Sequence, residues 1–243
     1  MVNIMKAEEL INERNRILDR LVQYFKQTEG VRGIFIAGSI PANRSDEWSD
    51  IDARIVISPK DYKKILSERL QHPKNWGNLF FNNWHLNTIH CVSHFRPFIK
   101  VDVFYYSVDS FFPTPWLTLP IHVHFDPDGV IAKTIAKSKG MEFVPTPDDV
   151  NRHISMSIAT AHEIFRRVHR GELFYAEDLL NYFRKSMIEE VNFVRKRPFE
   201  NIERNGTPDL KTALATSYVP LDKTKILEAL RNLLPAYEKN FQW

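Results

Sequence analysis

Val31-Arg32-Gly33-Ile34-Phe35-Ile36-Ala37-Gly38-Ser39 is followed, ten residues later, by Asp50-Ile51-Asp52-Ala53-Arg54-Ile55-Val56-Ile57. The first run is apolar and β-branched and reads as a buried strand that stops on Gly38-Ser39. The second alternates Ile51, Ala53 and Ile55 against Asp50, Asp52 and Arg54, the period of a strand with one face inside. Between them lie Pro41, Asn43, Asp46 and Ser49, the composition of a loop. Two strands joined by a polar loop make the nucleus of a sheet, and the rest of the chain is read around it.

Upstream, Leu10, Ile11, Ile17, Leu18, Leu21, Val22 and Phe25 recur at helical spacing over Ala7 to Gln27, and Gly30 ends that helix. Downstream, Ser58-Pro59 starts a helix expected to run to about Leu70. Strands are predicted over Leu79–Phe81, Leu86–Val92, Phe98–Tyr106 and Ile121–Phe125, with a turn at Asp126-Pro127-Asp128-Gly129. Pro145-Thr146-Pro147 reads as a linker. Helical patterns follow at Asp148–His169, Phe174–Arg195 and Asp222–Lys239. The expected fold is therefore α/β (α+β). Residues 1–145 form a mixed, twisted sheet of about five strands with helices on one side, and residues 146–243 form a helical bundle.

Composition narrows the function classes. With 43% hydrophobic and 26% charged residues, the chain is an ordinary globular protein able to bury a core. A net charge of +3 is too weak to argue for nucleic acid, and none is expected as a partner. The one cysteine, Cys91, permits no intramolecular disulfide and sits among apolar neighbours, as a small buried hydrophobe would. No apolar run of about 18 residues occurs, so no membrane association is expected, and a cytoplasmic location is.

Chemistry points to the same nucleus. Asp50 and Asp52, two apart on a strand, project to one face, where two carboxylates need a compensating charge. A divalent cation with hard oxygen ligands supplies it, and Mg2+ leaves positions open for phosphate oxygens. Gly38 lets a phosphate approach the backbone closely, and Ser39 offers an N–H and a hydroxyl to it. Asp102 interrupts the apolar run Ile99-Lys100-Val101-Asp102-Val103-Phe104. If its strand pairs beside that of Asp50 and Asp52, three carboxylates converge and suffice for two metal ions, with Asp102 placed to take a proton. The plainer alternative for Asp102 is an ion pair to Lys100 or Arg54.

This pattern of hydrophobic-Gly-Ser, Asp-hydrophobic-Asp and a later strand acid resembles the DNA polymerase beta-like nucleotidyltransferase superfamily. With its helical C-terminal half the chain is most similar to the antibiotic nucleotidyltransferases, of the aminoglycoside 6-adenylyltransferase and lincosamide type. The signature spans roughly residues 31 to 106. The resemblance implies that Gly38 and Ser39 hold donor phosphates, that Asp50 and Asp52 ligate metal, and that Asp102 is ligand or general base. It implies ATP or another nucleoside triphosphate as donor and a small-molecule acceptor, with antibiotic resistance as one biological role. One position departs: many members carry a second glycine four residues after the serine, where this chain has Asn43, a residue that tolerates positive φ. Transfer to protein or RNA, as in toxin–antitoxin members, and a non-catalytic nucleotide-binding module are the competing readings.

Further candidates are weaker. Arg44 in the loop and Lys185 in the helical half are candidate phosphate contacts, with exposed surface cations as the plainer alternative. Arg54 shares the face of the acids and reads as a structural ion pair. His122 and His124 share a strand face but lack two further zinc ligands at sensible spacing. Glu172 and Glu177 could face a cationic acceptor, and solvated helix faces explain them more simply. The acceptor pocket is expected between the two halves.

Overall fold

The computed structural model describes residues 6–83, 88–194, 196 and 202–240. The chain divides into two compact units, Met1–Met141 and Glu142–Trp243.

The first unit is built on a six-stranded sheet in the order β3-β4-β5-β2-β1-β6. Its strands are β1 (Val31–Ala37), β2 (Ile51–Ile57), β3 (Leu79–Asn82), β4 (His90–Phe95), β5 (Ile99–Ser107) and β6 (His122–Phe125). β1 pairs antiparallel with β2 and with β6, and β3-β4-β5 form antiparallel neighbours. The parallel pair is β2 with β5. Between them the chain runs through α2 (Pro59–Ser67) and the β3–β4 pair, long enough to return in the same direction.

One face of the sheet packs on α1 (Ala7–Gln27) and α2. Ile17, Leu21 and Phe25 of α1 meet Ile34, Ile36, Ile51, Ile55, Val101, Val103 and Tyr105, and Ile65 and Trp76 complete this core. Each fully buried side chain of this size contributes roughly 1.5–3 kcal/mol. His72 is buried in the same layer. Its Nδ1 accepts from Tyr24 Oη at 2.8 Å, and its Nε2 donates to Ile65 O at 3.0 Å, which suits the neutral imidazole. A smaller core of Phe35, Val56, Phe111, Leu117 and Ile131 lies on the other face beneath α3 (Val130–Ser138).

Several expectations need correction. The six strand segments expected from the sequence join in one sheet, and helices cover both of its faces rather than one, because α3 follows directly on the Asp126–Gly129 turn. The Asp126 carboxylate accepts from Ile131 N and Ala132 N, so a turn residue also caps a helix. α2 stops at Ser67, and a short 3-10 turn over His72–Asn75 follows. The strand expected at Leu86–Val92 lies at His90–Phe95, and residues 84–87 are outside the described ones. Ser93 points into the core between Cys91 and Phe95, with its Oγ 3.4 Å from Cys91 Sγ, and that buried hydroxyl hides the strand's alternation.

The second unit contains α4 (Pro147–His169), α5 (Leu173–Val194), α6 (Ile202–Asn205), α7 (Pro208–Thr216) and α8 (Lys223–Asn240). Thr146 caps α4, accepting from Asp149 N while the Asp149 carboxylate accepts from Thr146 N. Ile164, Val168, Leu180, Phe183, Leu214, Ile226 and Leu233 form its core. Among the described residues no helix is long and apolar enough to cross a membrane.

Candidate active site

Ile51, Ala53 and Ile55 of β2, and Val101, Val103 and Tyr105 of β5, are committed to the α1–α2 core. The intervening residues must therefore face the other way. The parallel register sets Asp52 opposite Asp102 and Arg54 opposite Phe104. Asp50, immediately before β2, and Lys100, at the start of β5, extend the same row. The three acids named by the sequence are thus gathered at one end of one sheet face.

The turn after β1 closes on them. Ala37 pairs with Asp52, so Gly38 arrives beside that carboxylate. Gly38 has φ +78°, and a Cβ there would stand 2.2 Å from Asp52 Oδ2. Both facts require glycine. Ser39 Oγ is buried and makes no hydrogen bond within the protein. Asn43 adopts φ 54°, so the left-handed turn survives without the second glycine. Arg44 N donates to Ser39 O at 3.0 Å, closing the loop, and Arg44 itself is exposed.

Lys100 Nζ lies 2.7 Å from Asp50 Oδ2 and 3.2 Å from Asp102 Oδ2. Arg54 Nη1 lies 3.7 Å from Asp52 Oδ1. The Arg54 guanidinium sits 4.1 Å over the Phe104 ring, and His90 stacks on Phe104 at 5.1 Å. This stack fixes the arginine beside Asp52. Burial pushes the Asp52 carboxyl above its ordinary pKa. The charge of Asp50 adds to the rise, Arg54 opposes it, and smaller effects of Asp102 and Lys100 follow. Asp102 Oδ1 is buried without a hydrogen-bond partner.

Among the described residues, no three His, Cys, Asp or Glu side chains are drawn together so as to hold a metal ion as they stand. The charges of Asp50 and Asp102 are met instead by the Lys100 ammonium and that of Asp52 by Arg54, so the ion-pair alternative for Asp102 is present. The donor chemistry still fits a divalent cation. The oxygens are hard, one of them is unpartnered, and the cluster already gathers a cation between two of its members.

The other candidates lie on other elements of the chain. Lys185 is exposed on α5 in the second unit. Glu172 pairs with Arg167 and Arg170, and Glu177 with Arg184, so neither is a bare acid. His122 and His124 stack at 4.4 Å without further metal-ligating partners among the described residues. Sequence reasoning treated Lys100 only as an ion-pair alternative. Its position two residues before Asp102 on a strand already placed both on one face.

No protein-family model matches the chain, and no curated protein matches it. Among solved structures it is similar to an aminoglycoside 6-adenyltransferase from Bacillus subtilis, at 13% identity and TM-score 0.41, over 94% of this chain and 88% of that one. It is also similar to a nucleotidyltransferase-like protein from Exiguobacterium sibiricum, at 11% identity and TM-score 0.40, over 93% and 74%. Escherichia coli CdnC with ATP is similar at 13% identity and TM-score 0.30, over 97% and 93%.

Proposed function

We infer that this chain is a Mg2+-dependent nucleotidyltransferase that moves a nucleoside monophosphate, AMP from ATP, onto a hydroxyl of a small-molecule acceptor. One observation carries the reading: Asp50, Asp52 and Asp102 share one end of a sheet face, with the Gly38-Ser39 turn set against Asp52.

In this reading Asp50, Asp52 and Asp102 hold the metal. Bound magnesium would neutralise the phosphates and acidify the attacking hydroxyl. Ser39 donates its backbone N–H and its unpartnered hydroxyl to a donor phosphate oxygen. Gly38 keeps the backbone low enough for that approach. Arg44, at the far end of the same turn, adds a cation to the triphosphate. Asp102 accepts the proton of the acceptor hydroxyl, the acceptor oxygen–phosphorus bond forms, and the bond to pyrophosphate breaks in line. Arg54, held on Phe104, keeps the Asp52 carboxylate oriented. The acceptor class suggested by the motif is an antibiotic of the aminoglycoside or lincosamide type, and a cytoplasmic setting supplies the ATP.

Calorimetry with ATP and Mg2+, followed by pyrophosphate release across a panel of acceptors, tests this. The expected result is Mg2+-dependent ATP binding, acceptor-dependent pyrophosphate, and loss of release in Asp102→Asn. ATP binding with no pyrophosphate under any acceptor would leave a nucleotide-binding module. Absence of ATP binding would end the reading.

A further inference from the structure

We propose that Lys100 is a built-in substitute for the metal: its ammonium closes the acid cluster when no divalent cation is bound, and a cation must displace it to bind. This rests on the nucleotidyltransferase reading of the site.

The geometry supports displacement rather than simple pairing. Lys100 Nζ contacts one oxygen each of Asp50 and Asp102, which lie on separate segments, and so bridges them as a shared cation would. Asp102 Oδ1 remains buried and unpartnered, since an ammonium bound to Oδ2 leaves it unserved. Asp50 and Asp102 would hold a divalent ion through hard carboxylate oxygens, of which the lysine leaves Asp102 Oδ1 over. The lysine side chain is 39% exposed, so its long stem can swing towards solvent without disturbing the core. Arg54, a second cation on this face, is fixed on Phe104 and lacks that freedom. Two like charges cannot share the space between the acids, so metal and ammonium exclude one another.

The test uses the full-length protein and Mn2+ as probe. Free Mn2+ is read by its paramagnetic resonance signal for wild type, Lys100→Met and Lys100→Arg. Lys100→Met should bind Mn2+ more tightly, by roughly twofold to thirtyfold, the worth of its two partly exposed ion pairs. Lys100→Arg keeps the charge and can chelate a carboxylate, so its affinity should stay at or below that of wild type. On the wild type, acetic anhydride labelling of Lys100, read by mass spectrometry, should rise several-fold when Mn2+ is added, while other lysines keep their rates. Labelling that does not change at saturating Mn2+, or a Lys100→Met variant that binds no better than wild type, overturns the displacement and leaves the transferase reading standing. If neither protein binds Mn2+ or Mg2+, both fall together.

Discussion

Gly38 and Asp52 touch across adjacent strands so closely that one added methyl group on the glycine would stand 2.2 Å from the aspartate's Oδ2. A Gly38→Ala substitution must therefore do two things at once. It forces a side chain into φ +78°, and it pushes the carboxylate out of its place between Arg54 and the turn. The expected cost is about 1–3 kcal/mol of stability, read by urea denaturation. Loss of Mg2+-dependent ATP binding should accompany it. Asn43→Gly, on the same loop, relieves a positive φ and crowds nothing, so its stability should stay within about 1 kcal/mol of wild type. Equal effects from the two substitutions would show that the turn, and not its contact with Asp52, sets the cost.

Asp52→Asn should separate stability from activity. Burial, then the charge of Asp50, raises the Asp52 carboxyl's folded pKa above its unfolded value. The folded state therefore keeps its proton to higher pH than the unfolded state does. Ionisation thus opposes folding above the raised pKa, and that opposition vanishes below the unfolded pKa of about 3.9. The asparagine variant should melt higher than wild type at pH 7, with the gap closing as the pH approaches 4. Its pyrophosphate release should fall by about a thousandfold, the scale of losing a metal-ligating carboxylate. A variant that melts lower at pH 7 would mean that the Arg54 contact outweighs the burial of the charge.

The contrast between local and distant pairing explains which parts of this protein could be read from its sequence. α1, β1 and β2 are legible because their periodicity is local, and the Gly38-Ser39 and Asp50-Ile51-Asp52 spacing falls inside one hairpin. The meeting of Asp52 with Asp102 depends on a parallel pairing between strands some 50 residues apart, and no local pattern specifies that register. The bounds of β4 are hidden in the sequence because Ser93, a polar residue, occupies a core position. α3 is hard to see in the sequence because Asp126 has the character of a turn residue, although it caps the helix that follows. Arg54 read correctly as an ion pair, since its partner lies two residues away on the same strand. The bridge made by Lys100 escaped notice because it needs Asp50 and Asp102 side by side.

His72 gives the fold a pH dependence on the acid side. Burial lowers its pKa, with the Ile65 carbonyl and Glu68 opposing the shift. The unfolded chain then binds a proton that the folded chain refuses, so this contribution is complete above the unfolded pKa of about 6.5 and is lost as the pH falls below it. The slope from one such group is at most ~1.4 kcal/mol per pH unit. Chemical denaturation between pH 7 and pH 5 should show stability falling with acid, and His72→Gln should flatten that slope while lowering stability at pH 7 through loss of the Tyr24 and Ile65 hydrogen bonds. An unchanged slope in the variant would place the acid sensitivity elsewhere.

Arg184 holds the second unit in the same way that Lys100 holds the acids of the first, but with no freedom to leave. It is 2% exposed on α5. Nε donates to Ser217 Oγ at 2.8 Å, Nη2 to the Ser217 carbonyl, and Nη1 to Glu177 Oε1 at 2.8 Å and Asn181 Oδ1 at 2.6 Å. Its guanidinium lies 4.2 Å over the Tyr218 ring. One side chain thus ties α5 to the residues that end α7. Arg184→Met removes those donors and leaves the Glu177 carboxylate and the Ser217 carbonyl without them, at an expected cost of about 3–5 kcal/mol. Arg184→Lys should recover only part of this, because an ammonium cannot reach groups on both helices in the planar fork that guanidinium provides. Hydrogen exchange read by mass spectrometry should show faster exchange across α5, α7 and α8 while the sheet amides of β1, β2 and β5 keep their protection. Full protection of α7 in Arg184→Met would mean that the apolar contacts of Leu210 and Leu214 hold that helix without the arginine.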